Sequence, residues 1–360
     1  RDVVDFTYTG FTPVLRDRLQ LRAGPNARLI QAFGIDNSFT TTDPSVHKAF
    51  QSAARKPLQE LSQERWSALF DEAIRIIKQE KNLAMADDDV QKSTYSISLA
   101  QCVRRLCFEM VFHILFGTKP GTLSRQDVNI AALEINSQWL ISKAKQVNTK
   151  STALNSALLH LIAHSSNPAT SSEAALNLIL PAYETLWRVI LLTFVSACHR
   201  QQDSNVLDTL NGLPGCLGRG DGEEQQVRLL AKEGLRLFPS TKRVHRCASL
   251  QDFCPNKIVS ADIEACQRDP YIWGKDAPRF RPGRFEHLTG LQKNAYMPFG
   301  LRPHMCPASA AFGERMIVLL VGALHWELGK KRAKVLFNDP QLDGIVFKDL
   351  PTGRADTENW

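Results

Sequence analysis

No Cys-x-x-Cys pair occurs in this chain, although it carries 8 cysteines in 360 residues. No group of cysteines and histidines has zinc-ligand spacing, so a structural zinc module is excluded. A disulfide framework is not expected in so long a chain, and the thiols point to a reducing compartment. Long apolar runs are also missing. Charge-free stretches such as 189–198 and 316–325 reach only about ten residues, short of the roughly 20 that a spanning helix needs. There is no internal repeat, low-complexity tract or secretory signal. The chain opens on Arg1 rather than Met, and its true N-terminus is expected to lie upstream. Lys and Arg outnumber Asp and Glu by 44 to 37, a net charge of +7. The cations are scattered rather than striped with aromatics, so nucleic acid has only the net charge in its favour. A docking face for an acidic protein, or a plain solvated surface, accounts for them as well.

What is present is helix. A hydrophobic content of 43% suits one large globular core. Asp43-Pro44 opens a helix with a capping acid and Pro at its first position, and Pro57 closes it. Helical periodicity then covers 58–81, 94–116, 124–145, 152–164 and 171–200. The last is the longest and is apolar on most faces, which predicts a helix crossing the centre of the molecule. Gly-rich 211–222 interrupts the pattern, and a helix resumes from Glu223 to Leu237. Strand-like pieces follow at 241–248, 257–263, 334–337 and 344–347. The fold class is mainly α with a small β-sheet, over a single domain of residues 1–360.

Three stretches carry chemistry. In Glu233-Gly234-Leu235-Arg236 the two charged residues share a helix face and can pair. Phe280-Arg281-Pro282-Gly283-Arg284-Phe285 is a basic loop punctuated by Pro and Gly. Pro298-Phe299-Gly300-Leu301-Arg302-Pro303-His304-Met305-Cys306-Pro307-Ala308 places a lone cysteine before an apolar helix over 312–328. A helix N-terminus and nearby cations are expected to keep such a cysteine as a metal-binding thiolate. Upstream, Pro181-Ala182-Tyr183-Glu184-Thr185 lies inside the longest helix. Pro181 has no N–H, so the Asn177 carbonyl loses its helical partner and a kink is expected.

In this order and spacing, the stretches resemble the cytochrome P-450 superfamily of haem-thiolate monooxygenases. The resemblance runs from about Thr42 to the C-terminus and is densest beyond Glu233. It implies a helical fold around a buried haem, with Cys306 as the axial iron ligand. His304 and Arg246, with Arg243 beside the latter, take propionate-binding positions, and Phe299 belongs to the same cofactor-binding loop. Glu233, Arg236 and Arg284 form a structural trio. Glu184 and Thr185 supply an acid and a hydroxyl for proton delivery. Substrate contacts are implied in the loop 35–42, at Leu178, Ala182 and Thr185, and in 240–244.

Departures stand beside these matches. Arg302 and Ala308 occupy positions where the family has Gly. The family's Trp-x-x-x-Arg is not seen after residue 43, where His47, Gln51 and Arg55 share a face. Relatives are longer at the N-terminus, so a membrane anchor and the first strands are expected to be missing. The form of the Pro181–Thr185 element resembles fungal members.

The function implied is insertion of one oxygen atom from O2 into a lipophilic small molecule, in secondary metabolism. Electrons would come from NADPH through a separate reductase. With an anchor the location would be the cytosolic side of the endoplasmic reticulum membrane, whereas this chain alone reads as soluble. Two alternatives stay open at this point. One is a reductase-independent haem-thiolate isomerase or dehydratase, and the other is a non-catalytic remnant.

Overall fold

The computed structural model describes residues 1–360 except 59–60, 88–94, 145–149, 167–170, 201–203, 251–256, 310, 330–331, 343–347 and 359. The helices before the sheet are α1 (Asp2–Asp5), α2 (Leu15–Phe33), α3 (Pro44–Arg55), α4 (Gln63–Asp87), α5 (Leu99–Phe116), α6 (Arg125–Lys143), α7 (Thr152–Ala163), α8 (Ser172–Phe194), α9 (Ser204–Asn211) and α10 (Gly222–Leu237). Strands β1 (Arg243–Cys247) and β2 (Ile258–Asp262) pair antiparallel, with His245 opposite Ser260. They are followed by α11 (Ile263–Arg268), α12 (Pro270–Trp273), α13 (Gly290–Ala295) and α14 (Phe312–Leu328).

Local signals explain most of these boundaries. The Asp43 side chain accepts the Ser45 N–H, and Pro44 follows at the first helical position, where its missing N–H costs nothing. Ser98, Ser124, Ser151 and Ser171 cap α5, α6, α7 and α8 in the same way. Serine is favoured there because its oxygen satisfies an N–H that has no partner inside the helix.

Helix α8 does cross the centre. It continues through a π-helical turn, Val195–Arg200, and packs against α5, α10 and α14. Tyr183 meets Phe108 edge-on at 5.5 Å, and Trp187, one turn further along, is also buried. The whole of Ser172–Arg200, 29 residues, is long and apolar enough to cross a membrane by length and composition, although the charge-free runs within it are short. Its burial by neighbouring helices assigns it here to the protein core.

One expectation needs correction, and two helices escaped the sequence patterns. Residues 334–337 form no strand, and 344–347 lie outside the described residues. Helix α2 escaped the periodicity because Gly24 and Pro25 sit inside it and read as a break. Gly24 is needed there: a Cβ on it would fall 2.6 Å from the Cys247 Sγ, so its bareness lets α2 lie against β1. Helix α9 lies between the helical pattern over 171–200 and the Gly-rich 211–222, in a stretch that carried no assignment.

Where α10 crosses α8, Gly234 faces Thr193. A Cβ at Gly234 would lie 2.2 Å from the Thr193 Oγ1 and 3.0 Å from its Cγ2. Gly234→Ala is therefore expected to destabilise the fold by about 1–3 kcal/mol through overpacking, despite the better helix propensity of alanine. Denaturant unfolding checks this, and adding Thr193→Ala should recover most of the loss.

Candidate functional site

The loop around Cys306 is held from both sides. The Cys306 N–H donates to the Phe299 carbonyl at 2.9 Å, and the Ser309 N–H donates back to Cys306 O at 3.1 Å. Gly300 takes a φ of 69°, a left-handed conformation that costs glycine nothing. Phe299 packs on the start of α14, where a Cβ on Gly313 would come within 2.8 Å of its ring. Arg302 is exposed and does not crowd the cysteine.

The electrostatics of Cys306 differ from expectation. Burial pushes its thiol up, while the Ala308 N–H and the Arg22 guanidinium pull it the other way. Helix α14 does not begin until Phe312, too far along to act on the sulfur, because dipole effects fall off within a turn. His304 supplies no charge: burial, Arg22 and Arg246 depress it to about 2. In the protein chain by itself the thiol is favoured, and deprotonation would have to accompany metal binding.

The cations nearest this loop come from three elements. Arg22 on α2 is buried, with its guanidinium 4.2 Å above the Phe39 ring. Arg246 on β1 is buried with its guanidinium 4.8 Å from the Phe6 ring. His304 lies 5.5 Å from the Phe6 ring and 5.3 Å from that of His47. Among the described residues, Arg22 Nη1, Arg246 Nε, the Gln51 Oε1 and both ring nitrogens of His304 are buried without a hydrogen-bond partner. Burial, followed by the charge of Arg246, lowers Arg22 to about 9. Burial lowers Arg246 to about 10, with Tyr8 opposing.

Buried guanidinium N–H groups left unpaired are costly, and two beside one cysteine suit a ligand with acidic groups. A thiol, two guanidiniums and a neutral imidazole are a donor set that fits haem with its two propionates. Arg22 was not legible in the sequence, since no motif marks it and α2 itself was missed. Of the helical face offered for the absent Trp-x-x-x-Arg, His47 is buried and Gln51 half-buried, whereas Arg55 is exposed. Arg243 is also exposed and pairs with Asp262 at 2.9 Å, away from this cluster.

Behind the loop, Glu233 holds two arginines. Arg236 meets its carboxylate with two bonds of 2.8 Å, Arg284 Nε donates at 3.0 Å, and the Arg281 N–H donates at 2.8 Å. Glu233 and Arg236 are wholly buried. Remaining guanidinium N–H groups reach the carbonyls of Gln267 at 2.7 Å, Ala277 at 2.8 Å and Asp276 at 3.2 Å. The trio thereby ties α10 to the segment 267–284, which leads into the cysteine loop.

On the opposite side, α8 remains α-helical through Pro181. The Asn177 carbonyl freed by that proline accepts from the Asn37 amide at 3.0 Å, and the Asn177 side chain accepts the Asp36 N–H at 2.8 Å. The expected loss of a helical bond thus becomes an anchor for the loop 35–42. The Thr185 hydroxyl donates to the Pro181 carbonyl at 2.8 Å. Leu178, Ala182 and Thr185 are half-buried, as are Asn177, Pro181, Leu186 and Arg188 on the same helix. Glu184 is not free: Arg354, from the C-terminal segment, engages both its oxygens, and Arg354 also donates to Asn136 at 3.0 Å. None of the described hydrogen bonds joins Glu184 to Thr185. Arg354 was missed because only the tertiary fold brings it to α8.

Comparison with known proteins agrees with this geometry. Residues 227–323, which hold the trio and Cys306, match the family model Cytochrome P-450. The Caenorhabditis elegans cytochrome P-450 CYP13A3 is 38% identical over 89 residues, 22% of this chain and 17% of that protein. Cytochrome P-450 714A2 of Arabidopsis thaliana is 30% identical over 159 residues, 40% of this chain and 29% of that protein. A bifunctional cytochrome P-450/NADPH–P-450 reductase of Bacillus subtilis is 34% identical over 87 residues, 22% of this chain and 8% of its own length. The aligned part therefore spans less than a third of each relative. In structure, a six-coordinated cytochrome P-450 from Thermus thermophilus superposes with a TM-score of 0.57 at 18% identity, covering 85% of this chain and 82% of that one. The fold is thus similar to that of a solved cytochrome P-450. Over residues 227–323 the chain is similar in sequence to the cytochrome P-450 family.

Removing the charge from Glu233 leaves two arginines buried without their anion. Glu233→Gln is expected to cost about 3–5 kcal/mol of stability, read from the denaturant midpoint at an unchanged m-value.

Proposed function

We propose that the chain is a haem-dependent monooxygenase, inserting one oxygen atom from O2 into a lipophilic small molecule. The observation that carries this reading is the Cys306 loop beside two buried, incompletely paired arginines. When bound, haem supplies dioxygen activation through an iron made electron-rich by a thiolate ligand. Cys306 would be that ligand. Arg22 and Arg246 would hold the propionates, while the neutral His304 and Phe299 complete the cradle.

The other residues act around the cofactor. The Thr185 hydroxyl, tethered to the Pro181 carbonyl, would pass a proton once it turns from that carbonyl. Glu184 acts as a positioning residue while Arg354 holds it, since an engaged carboxylate is a poor proton carrier. Leu178 and Ala182 would offer an apolar surface to the substrate, beside the anchored and largely polar loop 35–42. Electrons would come from NADPH by way of a separate reductase. Any anchoring to the endoplasmic reticulum belongs to this proposal as well.

Haem reconstitution followed by reduction under carbon monoxide tests the reading. The parent protein should show the strongly red-shifted Soret band of a thiolate ligand, and Cys306→Ala should lose it. A histidine-type band in the parent, or an unaltered one in the variant, overturns the assignment. Arg22→Gln should bind haem about tenfold more weakly, a change of 1.4 kcal/mol. It should bind haem dimethyl ester, which lacks the acid groups, as the parent does. Absorbance titration measures both.

A further inference from the structure

A second concentration of positive charge gathers around Trp139. Three cations surround one indole. The Arg28 guanidinium is 4.7 Å from the Trp139 ring centroid, that of Arg354 is 5.3 Å away, and the Lys143 ammonium is 5.9 Å away. Arg188 joins them from α8. It lies three residues beyond Thr185, on the same helix face, and donates to the Ser240 carbonyl at 3.0 Å and the Thr352 carbonyl at 3.4 Å.

The anions do not match this number. Arg28, Lys143, Arg188 and Arg354 all face the field of Glu184, whose two oxygens are already taken by Arg354. Glu264, the other carboxylate acting on Arg188, sits 3.5 Å from Lys242. Among the described residues, Arg28, Lys143 and Arg188 have no carboxylate within ion-pair distance. The Trp139 Nε1 and the Arg188 Nε are buried without a hydrogen-bond partner.

The mutual repulsion is visible in the charges themselves. Lys143 is at the rim, with its side chain reaching solvent. Even so, partial desolvation and then Arg354, Arg28 and Arg188 pull it down to about 8. Arg28 and Arg188 are lowered first by burial and next by Arg354. Clustered cations over an aromatic face, with spare N–H donors, form a receptor for an anion.

We propose that the substrate is an apolar molecule bearing a carboxylate, held by Arg28, Lys143 and Arg188 with its hydrocarbon body along Leu178, Ala182 and Thr185. This inference rests on the monooxygenase reading and narrows its substrate class. The carboxylate would supply the anion that Glu184 cannot. Arg188 would set the distance between the acid group and the carbon nearest Thr185, one helical turn away.

The test uses the haem-loaded protein and two matched pairs of ligands: hexadecanoic acid and abietic acid, each with its methyl ester. Affinities are read by quenching of tryptophan fluorescence and confirmed by calorimetry. At least one acid should bind tenfold or more tightly than its ester, and that preference should fall severalfold in Arg28→Gln and in Lys143→Gln. Lys143 is at the rim, so its variant should fold even if Arg28→Gln does not. The proposal is overturned if neither acid outbinds its ester, including the case in which no acid binds. It is also overturned if the preference survives intact in the folded variants. Failure of the parent to take up haem would instead strike the monooxygenase reading, so the two failures are distinguishable.

Discussion

One carboxylate organises the region on which the candidate site depends. Glu233 lies wholly inside the protein and accepts from two arginine side chains and a backbone N–H. Such a cluster is costly to assemble, because every ion must leave water, and it persists only when nearly all its hydrogen bonds are made. Here they are: the second faces of both guanidiniums end on carbonyls of the segment 267–284. The cluster therefore specifies a geometry more than it adds stability. It sets where the chain leaves α10 and how it returns toward Phe299 and Cys306.

Two further groups of cations use opposite economies. Near Cys306, Arg22 and Arg246 are nine-tenths buried, rest on aromatic rings and keep N–H groups unpaired. Around Trp139, Arg28, Lys143 and Arg188 are less buried, and with the buried Arg354 they face Glu184, whose oxygens Arg354 engages. The first group can be satisfied by the acid groups of a cofactor, the second by an acid group of a ligand. Helix α2 carries a member of each, Arg22 and Arg28, and on α8 Pro181 lets the loop 35–42 lock onto the helix through Asn177.

Legibility followed the range of the interaction. Helix caps such as Asp43 and Ser171 were readable because they act over three residues. The pairing of Glu233 with Arg236 followed from helical spacing, and the link to Arg284 followed from the resemblance. Helix α2 was not readable, because Gly24 and Pro25 look like a break until Cys247 is known to press against them. With α2 went Arg22, the cation nearest in effect to Cys306. Arg354 was hidden for a similar reason: its partners Glu184 and Asn136 lie far away in the chain.

What the residues determined unaided was a mainly helical chain, a long central helix, and a Glu233–Arg236 pair on one helix face. These follow from patterns a few residues long, where propensity, capping and spacing act directly. What only the folded molecule decided was electrostatic. Burial turned His304 neutral and raised the Cys306 thiol, and the packing of distant segments gathered four cations beside one carboxylate. Charge is listed by the sequence, but its consequences depend on distance and on loss of water, and both are properties of the tertiary structure.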